Sequence, residues 1–167
     1  MQVVSDPAPQ VDERHPADVV TTMIEHVLDL ASTWPAWSGI PFVTKVEGEA
    51  PRTYTPHKAI RRVADHLLDH LAEIEARIAG RQSEPDTWHA SAITSAADLA
   101  LFTQEDLEEA INRLRRLSLI WDVRIRAITV EELDEPRGGA WTVRQVAFHV
   151  AESAFYADAV GRLTTLL

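Results

Sequence analysis

The fold of this chain is decided by the stretch from Pro56 to Ala79, which reads PHKAIRRVADHLLDHLAEIEARIA. Apolar residues recur there every three to four positions, the spacing of one face of an α-helix. Thr55 directly precedes Pro56, a strong start signal, because Pro fits the first helical position and Thr can cap free N–H groups. Gly80 is the natural stop. The stretch therefore predicts one long amphipathic helix.

Three further segments carry the same periodicity. We predict helices from about Ala17 to Ser32, from Gln104 to about Ile128 and from Val143 to about Leu166. The β-branched alternation typical of strands is almost absent, so we expect no strands between the helices. Four amphipathic helices of this length predict an all-α protein with the architecture of a four-helix bundle.

The connections between these helices are long. The second and third helices are joined by Arg81 to Phe102, a segment with an Ala/Ser-rich run from Ala90 to Ala100 that could itself be helical. Such lengths favour at least one crossover connection. We assign residues 1–16 to an N-terminal extension and residues 17–167 to a single domain. Its two helical hairpins span about 17–80 and 104–166.

Composition excludes several classes of function. Lys and Arg total 16 against 26 Asp and Glu, a formal charge of −10, which disfavours binding to nucleic acid or to anionic membranes. The chain has no cysteine, which excludes disulfides, thiol nucleophiles and Cys-ligated metals. No stretch approaches the roughly 20 apolar residues of a membrane span. The N-terminal residues lack the apolar run of a signal peptide. We therefore expect a soluble cytoplasmic protein.

Two of the seven histidines, His66 and His70, are four residues apart. On a helix this spacing projects both imidazoles from one side, where they can share a metal ion. They flank the apolar stripe of their helix, so they need polar partners. His149 lies among the inward-facing residues of the fourth predicted helix and is the best third ligand. A core histidine bonded to a carboxylate or carbonyl is the alternative interpretation of His149.

Acidic residues near these histidines could orient the imidazoles as hydrogen-bond acceptors. Asp65, Asp69 and Glu152 are the candidates, although all three could equally be solvated charges on a helix surface. Three neutral imidazoles would leave a divalent ion with open coordination positions, as in a catalytic site. A fourth protein ligand, with His26 as the candidate, would close the site instead.

Two segments resemble the metal-binding helices of the DinB-like (DinB/YfiT) superfamily. One runs from Trp141 to Glu152, WTVRQVAFHVAE, and the other from Pro56 to Leu71, with its HxxxH pair. Both open alike, with an aromatic residue and a Thr before the helix, as in an internal repeat. The resemblance implies a four-helix bundle that is a homodimer, with His66, His70 and His149 as ligands of nickel or zinc.

The order of these two helices is reversed relative to the usual family member. The single-His helix normally precedes the HxxxH helix, whereas here it follows. The chain therefore resembles a circular permutation with the two hairpins exchanged, and a domain-swapped dimer is the other way to assemble the same site.

The resemblance implies a metal-dependent transferase or hydrolase that acts on a small molecule, with a low-molecular-weight thiol as a possible cosubstrate. The metal would lower the pKa of a bound water or thiol, and Glu152 or Asp69 would assist proton transfer. One alternative is a helical bundle that binds a metal or ligand without turnover. Another is a structural dimer whose histidines belong to the core.

Overall fold

The chain is largely helical, as predicted. A computed structural model describes residues 12–45, 48, 50–85, 91–136 and 138–164. The helices in these residues are α1 (Pro16–Ala31), α2 (Pro56–Ile78), α3 (Gln104–Arg126), α4 (Val130–Leu133), α5 (Val143–Ala151) and α6 (Phe155–Asp158). Two short strands, β1 (Phe42–Thr44) and β2 (Arg52–Tyr54), precede α2.

Threonine caps fix where the long helices begin. The hydroxyl oxygens of Thr55, Thr103 and Thr142 each accept a hydrogen bond of 3.2 Å from the backbone N–H three residues later. Gln145 completes a capping box by accepting from the N–H of Thr142. At the other end of α2, Gly80 has φ +65°, the left-handed conformation that closes many helices. These local signals explain why the predicted start and end of α2 agree with the structure.

Helices α2 and α3 run parallel, so the segment between them crosses the length of both. The imidazole of His57, in the first turn of α2, lies 3.5 Å from the carboxylate of Asp106 in the first turn of α3. Further along, the indole N–H of Trp121 donates to the carbonyl oxygen of Leu67 at 3.0 Å. The expected crossover is therefore the connection between α2 and α3.

Helix α1 runs antiparallel to α3, and α5 runs antiparallel to α2. Arg126, at the end of α3, pairs with Asp18 at the start of α1. Arg77, at the end of α2, reaches Trp141, two residues before α5. The apolar faces enclose one core, whose largest fully buried apolar side chains are Trp34, Trp121, Ile24, Leu67, Ile74, Leu114, Ile125 and Leu133.

The expectation that no strands occur is wrong in the connection between α1 and α2. There β1 and β2 pair antiparallel, with Phe42 opposite Tyr54. Each strand has three residues, too few to produce a visible alternation of apolar and polar residues. The ribbon leads Tyr54 into the core directly before the cap of α2.

The prediction of one continuous fourth helix, from Val143 to about Leu166, is also wrong. A 3₁₀ turn at Glu152–Ala154 follows α5, and α6 ends at Asp158. Gly161 then adopts φ +73°, which ends the helical path. Its carbonyl oxygen accepts a hydrogen bond of 2.8 Å from the buried indole of Trp34. A tertiary contact therefore holds this segment outside the helix.

Some predictions fall outside the described residues. These are the N-terminal extension up to residue 11, Ala90, and the end of the fourth predicted helix from residue 165 onward. Within the described part of the Ala/Ser-rich run, residues 91–100, the helical structure is a 3₁₀ turn at Ala97–Leu99. Among the described residues, no helix combines the length and apolar character needed to cross a membrane.

Candidate metal centre

The two histidines of α2 lie side by side at the edge of its buried stripe. Val63, Leu67 and Ile74 of the stripe are fully buried, whereas His66 and His70 are half-buried. The centres of the two imidazole rings are 4.7 Å apart. The helical spacing therefore places both rings on one side of α2, next to the core and open to solvent.

His149 of α5 meets both of them from the antiparallel neighbour. Its ring centre lies 4.8 Å from that of His66 and 5.2 Å from that of His70. One nitrogen from each of the three imidazoles can be chosen so that all lie within 4.8 Å of one another. We call these three residues the histidine trio. It forms within a single chain, so its assembly needs no exchanged segment from a second copy.

Two carboxylates contact the trio on its outer side. Nδ1 of His70 lies 2.7 Å from Oε2 of Glu73, and Nδ1 of His149 lies 3.3 Å from Oε2 of Glu152. A carboxylate at Nδ1 favours the tautomer with its proton on that nitrogen, which leaves the lone pair on Nε2. The two carboxylates therefore favour the form of each ring that can bind a metal through Nε2.

Glu73 is the orienting residue that the sequence analysis missed. It follows His70 by three positions, just as Glu152 follows His149, and residues three apart on a helix are neighbours. That spacing was the available signal.

The other two residues predicted to orient the imidazoles are Asp65 and Asp69 of α2. Asp65 lies 3.8 Å from the guanidinium groups of Arg61 and Arg62, and Asp69 is exposed.

Arg77 joins the two halves of the site. It donates to Glu73, which holds His70, and its Nη1 donates to the carbonyl oxygen of Trp141 at 2.8 Å. The Trp141 ring packs against His149, with 4.6 Å between ring centres. One chain of contacts therefore runs from a histidine of α2 through an arginine to the histidine of α5.

The trio fits a divalent metal by donor type and by separation. Nitrogens bound to one tetrahedral zinc ion at about 2.0–2.1 Å lie roughly 3.4 Å apart. The nitrogens of the trio lie within 4.8 Å of one another, which exceeds that spacing by at most about 1.4 Å. His26, the candidate fourth ligand, instead bonds Asp158 through Nε2 at 2.6 Å. Three protein ligands would leave positions for water or substrate.

Two buried basic residues, Lys58 and Arg62, lie along α2 before the histidines of the trio. Lys58 and Arg62 precede His66 by eight and four residues, and they are 1% and 7% exposed. Burial lowers the pKa of the Lys58 ammonium, Asp98 opposes this effect, and repulsion by neighbouring guanidinium groups adds to it. Two basic side chains therefore line the buried part of α2 on one side of the trio.

Asp98 is the acidic residue that faces this part of α2. It accepts two hydrogen bonds from the guanidinium of Arg61, at 2.9 and 2.7 Å, and one of 2.7 Å from the N–H of Ser95. Burial works against its charged form, but these hydrogen bonds outweigh burial and hold the pKa of the carboxyl below its ordinary value. The loop after α2 is thereby tied back to its first turns.

A comparison of the chain with protein-family models, curated proteins and solved structures finds no match. The resemblance to the DinB-like superfamily therefore depends on the two helix motifs alone. Any argument about function has to come from the residues of the site.

Proposed function

We propose that this protein is a divalent-metal-dependent enzyme of the DinB-like type, a four-helix bundle that holds nickel or zinc on His66, His70 and His149. The observation that carries the proposal is the convergence of three half-buried imidazoles from two helices. Two of them have a carboxylate at Nδ1. Purely structural core histidines would not need this arrangement of acceptors around a shared centre.

The residues around the trio divide the work of such a site. Glu73 holds the ring of His70, and the ion pair with Arg77 fixes the position of Glu73 in turn. A bound ion supplies Lewis acidity, which lowers the pKa of a water or thiol at its open position. The half-exposed Trp141 covers one side of His149 and limits the approach of solvent from that side.

Glu152 and Asp69 are the proposed proton-transfer groups. The side chain of Glu152 is 77% exposed, and one of its oxygens lies beside His149. Because the side chain is exposed, it can turn from His149 toward the centre, where the carboxylate would take a proton from a nucleophile. Asp69 lies next to His70 in sequence on the exposed side of α2. In a transferase reaction, a thiol loses its proton to Glu152, its sulfur bonds to an electrophilic carbon, and the leaving group departs with that proton.

Metal content tests the site directly. Purified wild type, incubated with nickel and with zinc, is analysed by inductively coupled plasma mass spectrometry beside the His66→Ala, His70→Ala and His149→Ala variants. His26→Ala is the matched control, since His26 bonds Asp158. We expect about one ion per chain in wild type and in the control, and loss of the ion in the other three. A wild type that takes up neither metal overturns the proposal.

Cobalt substitution separates the enzyme from its alternative, a bundle that binds metal without turnover. With an open position, the cobalt-loaded protein gains a thiolate-to-metal charge-transfer band when 2-mercaptoethanol is added. With a closed coordination sphere, no band appears, and the binding protein becomes the better description. The Glu152→Gln variant should bind cobalt yet form the band more slowly after mixing with the thiol, because it lacks the proton acceptor.

The remaining expectations about partners are part of the same proposal. A small-molecule substrate, a homodimer and a cytoplasmic location follow from the resemblance and from composition. Nucleic acid and membranes are not expected partners of a chain with a formal charge of −10. Sedimentation velocity at micromolar concentration decides between monomer and dimer.

A further inference from the structure

Two buried polar atoms in the described part of the chain have no hydrogen-bond partner, and both lie next to the histidine trio. They are Nε of Arg62 and the hydroxyl oxygen of Ser153. Arg62 precedes His66 by four residues, and Ser153 follows His149 by four. Residues four apart are neighbours on a helical face. Each unpaired atom is therefore about one turn away from a histidine of the trio.

The two unpaired atoms belong to the same level of the structure. Because α2 and α5 run in opposite directions, a residue one turn before His66 and a residue one turn after His149 are displaced from the trio in the same direction along the helix axes. The contact with Tyr156 agrees with this, because the guanidinium carbon of Arg62 lies 5.4 Å from the centre of its ring. Tyr156 is only three residues beyond Ser153. Both atoms therefore lie deeper in the molecule than the trio, on one side of it.

Leaving a buried polar atom without a hydrogen-bond partner is costly. Two such atoms at one level of the structure therefore indicate a ligand. A buried donor without a partner costs about 1–3 kcal/mol. Arg62 and Ser153 are 7% and 3% exposed. A serine within a helix usually donates to the carbonyl oxygen four residues back. Ser153 makes no such bond, and it occupies the 3₁₀ turn that interrupts the fourth predicted helix.

The charge around these atoms selects an anion. Lys58 lies one further turn along α2 and is 1% exposed, with its ammonium donating to the hydroxyl of Thr94. The guanidinium of Arg62 lies 3.8 Å from Asp65, at the outer limit of an ion pair, through an Nη nitrogen. Its Nε–H remains for another acceptor. An arginine N–H and a serine O–H can each donate to one oxygen of a carboxylate.

We propose that Arg62 and Ser153 form a subsite for the carboxylate of a small-molecule substrate whose reacting group lies at the histidine trio. The inference deepens the proposed function, on which it rests, by naming the substrate class. Four helical residues correspond to about 6 Å. The substrate therefore carries its carboxylate about that far from the atom that reacts. Nε of Arg62 would donate to one carboxylate oxygen and the hydroxyl of Ser153 to the other.

The test is carboxylate binding read at Arg62 itself. The ¹H–¹⁵N signal of Arg62 Nε is assigned as the one absent from the Arg62→Lys variant. Propanoate is titrated into metal-free and zinc-loaded protein, with propanamide as the uncharged probe of equal size. We expect propanoate to shift the Nε–H proton downfield and propanamide to leave it in place. Ser153→Ala should weaken propanoate binding roughly tenfold, the loss of one charge-assisted hydrogen bond.

Three controls distinguish carboxylate binding at Arg62 and Ser153 from non-specific binding, from a structural role of Ser153 and from failure of the metal site. Arg113→Lys, at an exposed arginine of α3 that pairs with Glu109, should leave propanoate affinity unchanged. Ser153→Ala should unfold at the same or a higher denaturant concentration, because its hydroxyl has no partner to lose. A lower midpoint would assign the hydroxyl a structural role and overturn the inference. An Arg62 signal indifferent to propanoate in protein that binds zinc overturns it as well. Failure of the metal site appears separately, as absent zinc uptake.

Discussion

Arg77 donates a hydrogen bond of 2.8 Å to the carbonyl oxygen of Trp141, and this bond ties the end of α2 to the residue before the cap of α5. The same guanidinium pairs with Glu73. A single side chain thus contacts the carboxylate that orients His70 and also holds in place the residue before the cap of α5, the helix that carries His149.

The first prediction concerns this arginine. Arg77→Ala should lower zinc affinity by about 10–100-fold, the effect typical of residues that support metal ligands. The loss follows because Glu73 loses its anchor and Trp141 loses its tie to α2. Isothermal titration calorimetry measures it. Arg113→Ala, which removes an exposed pair on α3, should leave the affinity as it is.

Glu73→Gln should reduce zinc affinity by a similar factor of about 10–100. The amide preserves the size of the side chain but removes the negative charge that favours a proton on Nδ1 of His70. Glu75→Gln is the matched control on the same helix, because Glu75 pairs with Arg124 of α3 and not with a histidine of the trio. Equal losses in both variants would show a general effect of charge near the site and would count against the orienting role of Glu73.

Asp98 should make the protein sensitive to acid. Its pKa is lower in the folded protein than the ordinary value of 3.8. The carboxylate therefore stabilises the fold above that value, and this contribution is lost as the pH falls through the folded-state pKa. We expect Asp98→Asn to cost about 1–3 kcal/mol at pH 7, because it removes the charge that accepts two hydrogen bonds from the half-buried Arg61.

Urea denaturation from pH 7 to pH 3 checks this prediction, and the wild-type and Asp98→Asn curves should approach each other at the acid end. Asp134→Asn is the comparison, since Asp134 pairs with Arg144 at an exposed position and should contribute less than about 1 kcal/mol. A constant difference between wild type and Asp98→Asn across the whole range would contradict the assigned pKa direction.

The fourth prediction concerns the segment after α6. Trp34→Phe removes the hydrogen bond to the carbonyl oxygen of Gly161 and leaves that oxygen without its partner. The free energy of unfolding should fall by about 1–3 kcal/mol. Urea titration monitored by circular dichroism measures it. Leu119→Ala, at a side chain that is 63% exposed, should stay within about 0.5 kcal/mol of wild type.

Local signals in the sequence were enough to place the long helices. The Thr-Pro start and the Gly stop of α2 act within one or two residues of the chain, and the structure places α2 at Pro56–Ile78. The end of the fourth predicted helix depends instead on Trp34, which is far away in sequence. Gly161 was an available stop signal, but the apolar period continues past Asp158 and the prediction followed that period.

The candidate site divides in the same way. Spacing and helical face identified the histidine trio, because both are properties of single helices. The i, i+3 relation of Glu73 to His70 was visible but was not used. The placement of Arg62 and Ser153 at one level could not be found from either helix alone. It depends on the antiparallel packing of α2 and α5.

The trio draws two ligands from one half of the chain and one from the other. His70 and His149 are 79 positions apart, and they meet only when α5 has packed against α2. Until its last helices are in place, a newly synthesised chain offers a metal only two imidazoles of the trio. Capture of the metal would then be a late event that follows folding, and chains stalled before that point would not compete for a scarce ion.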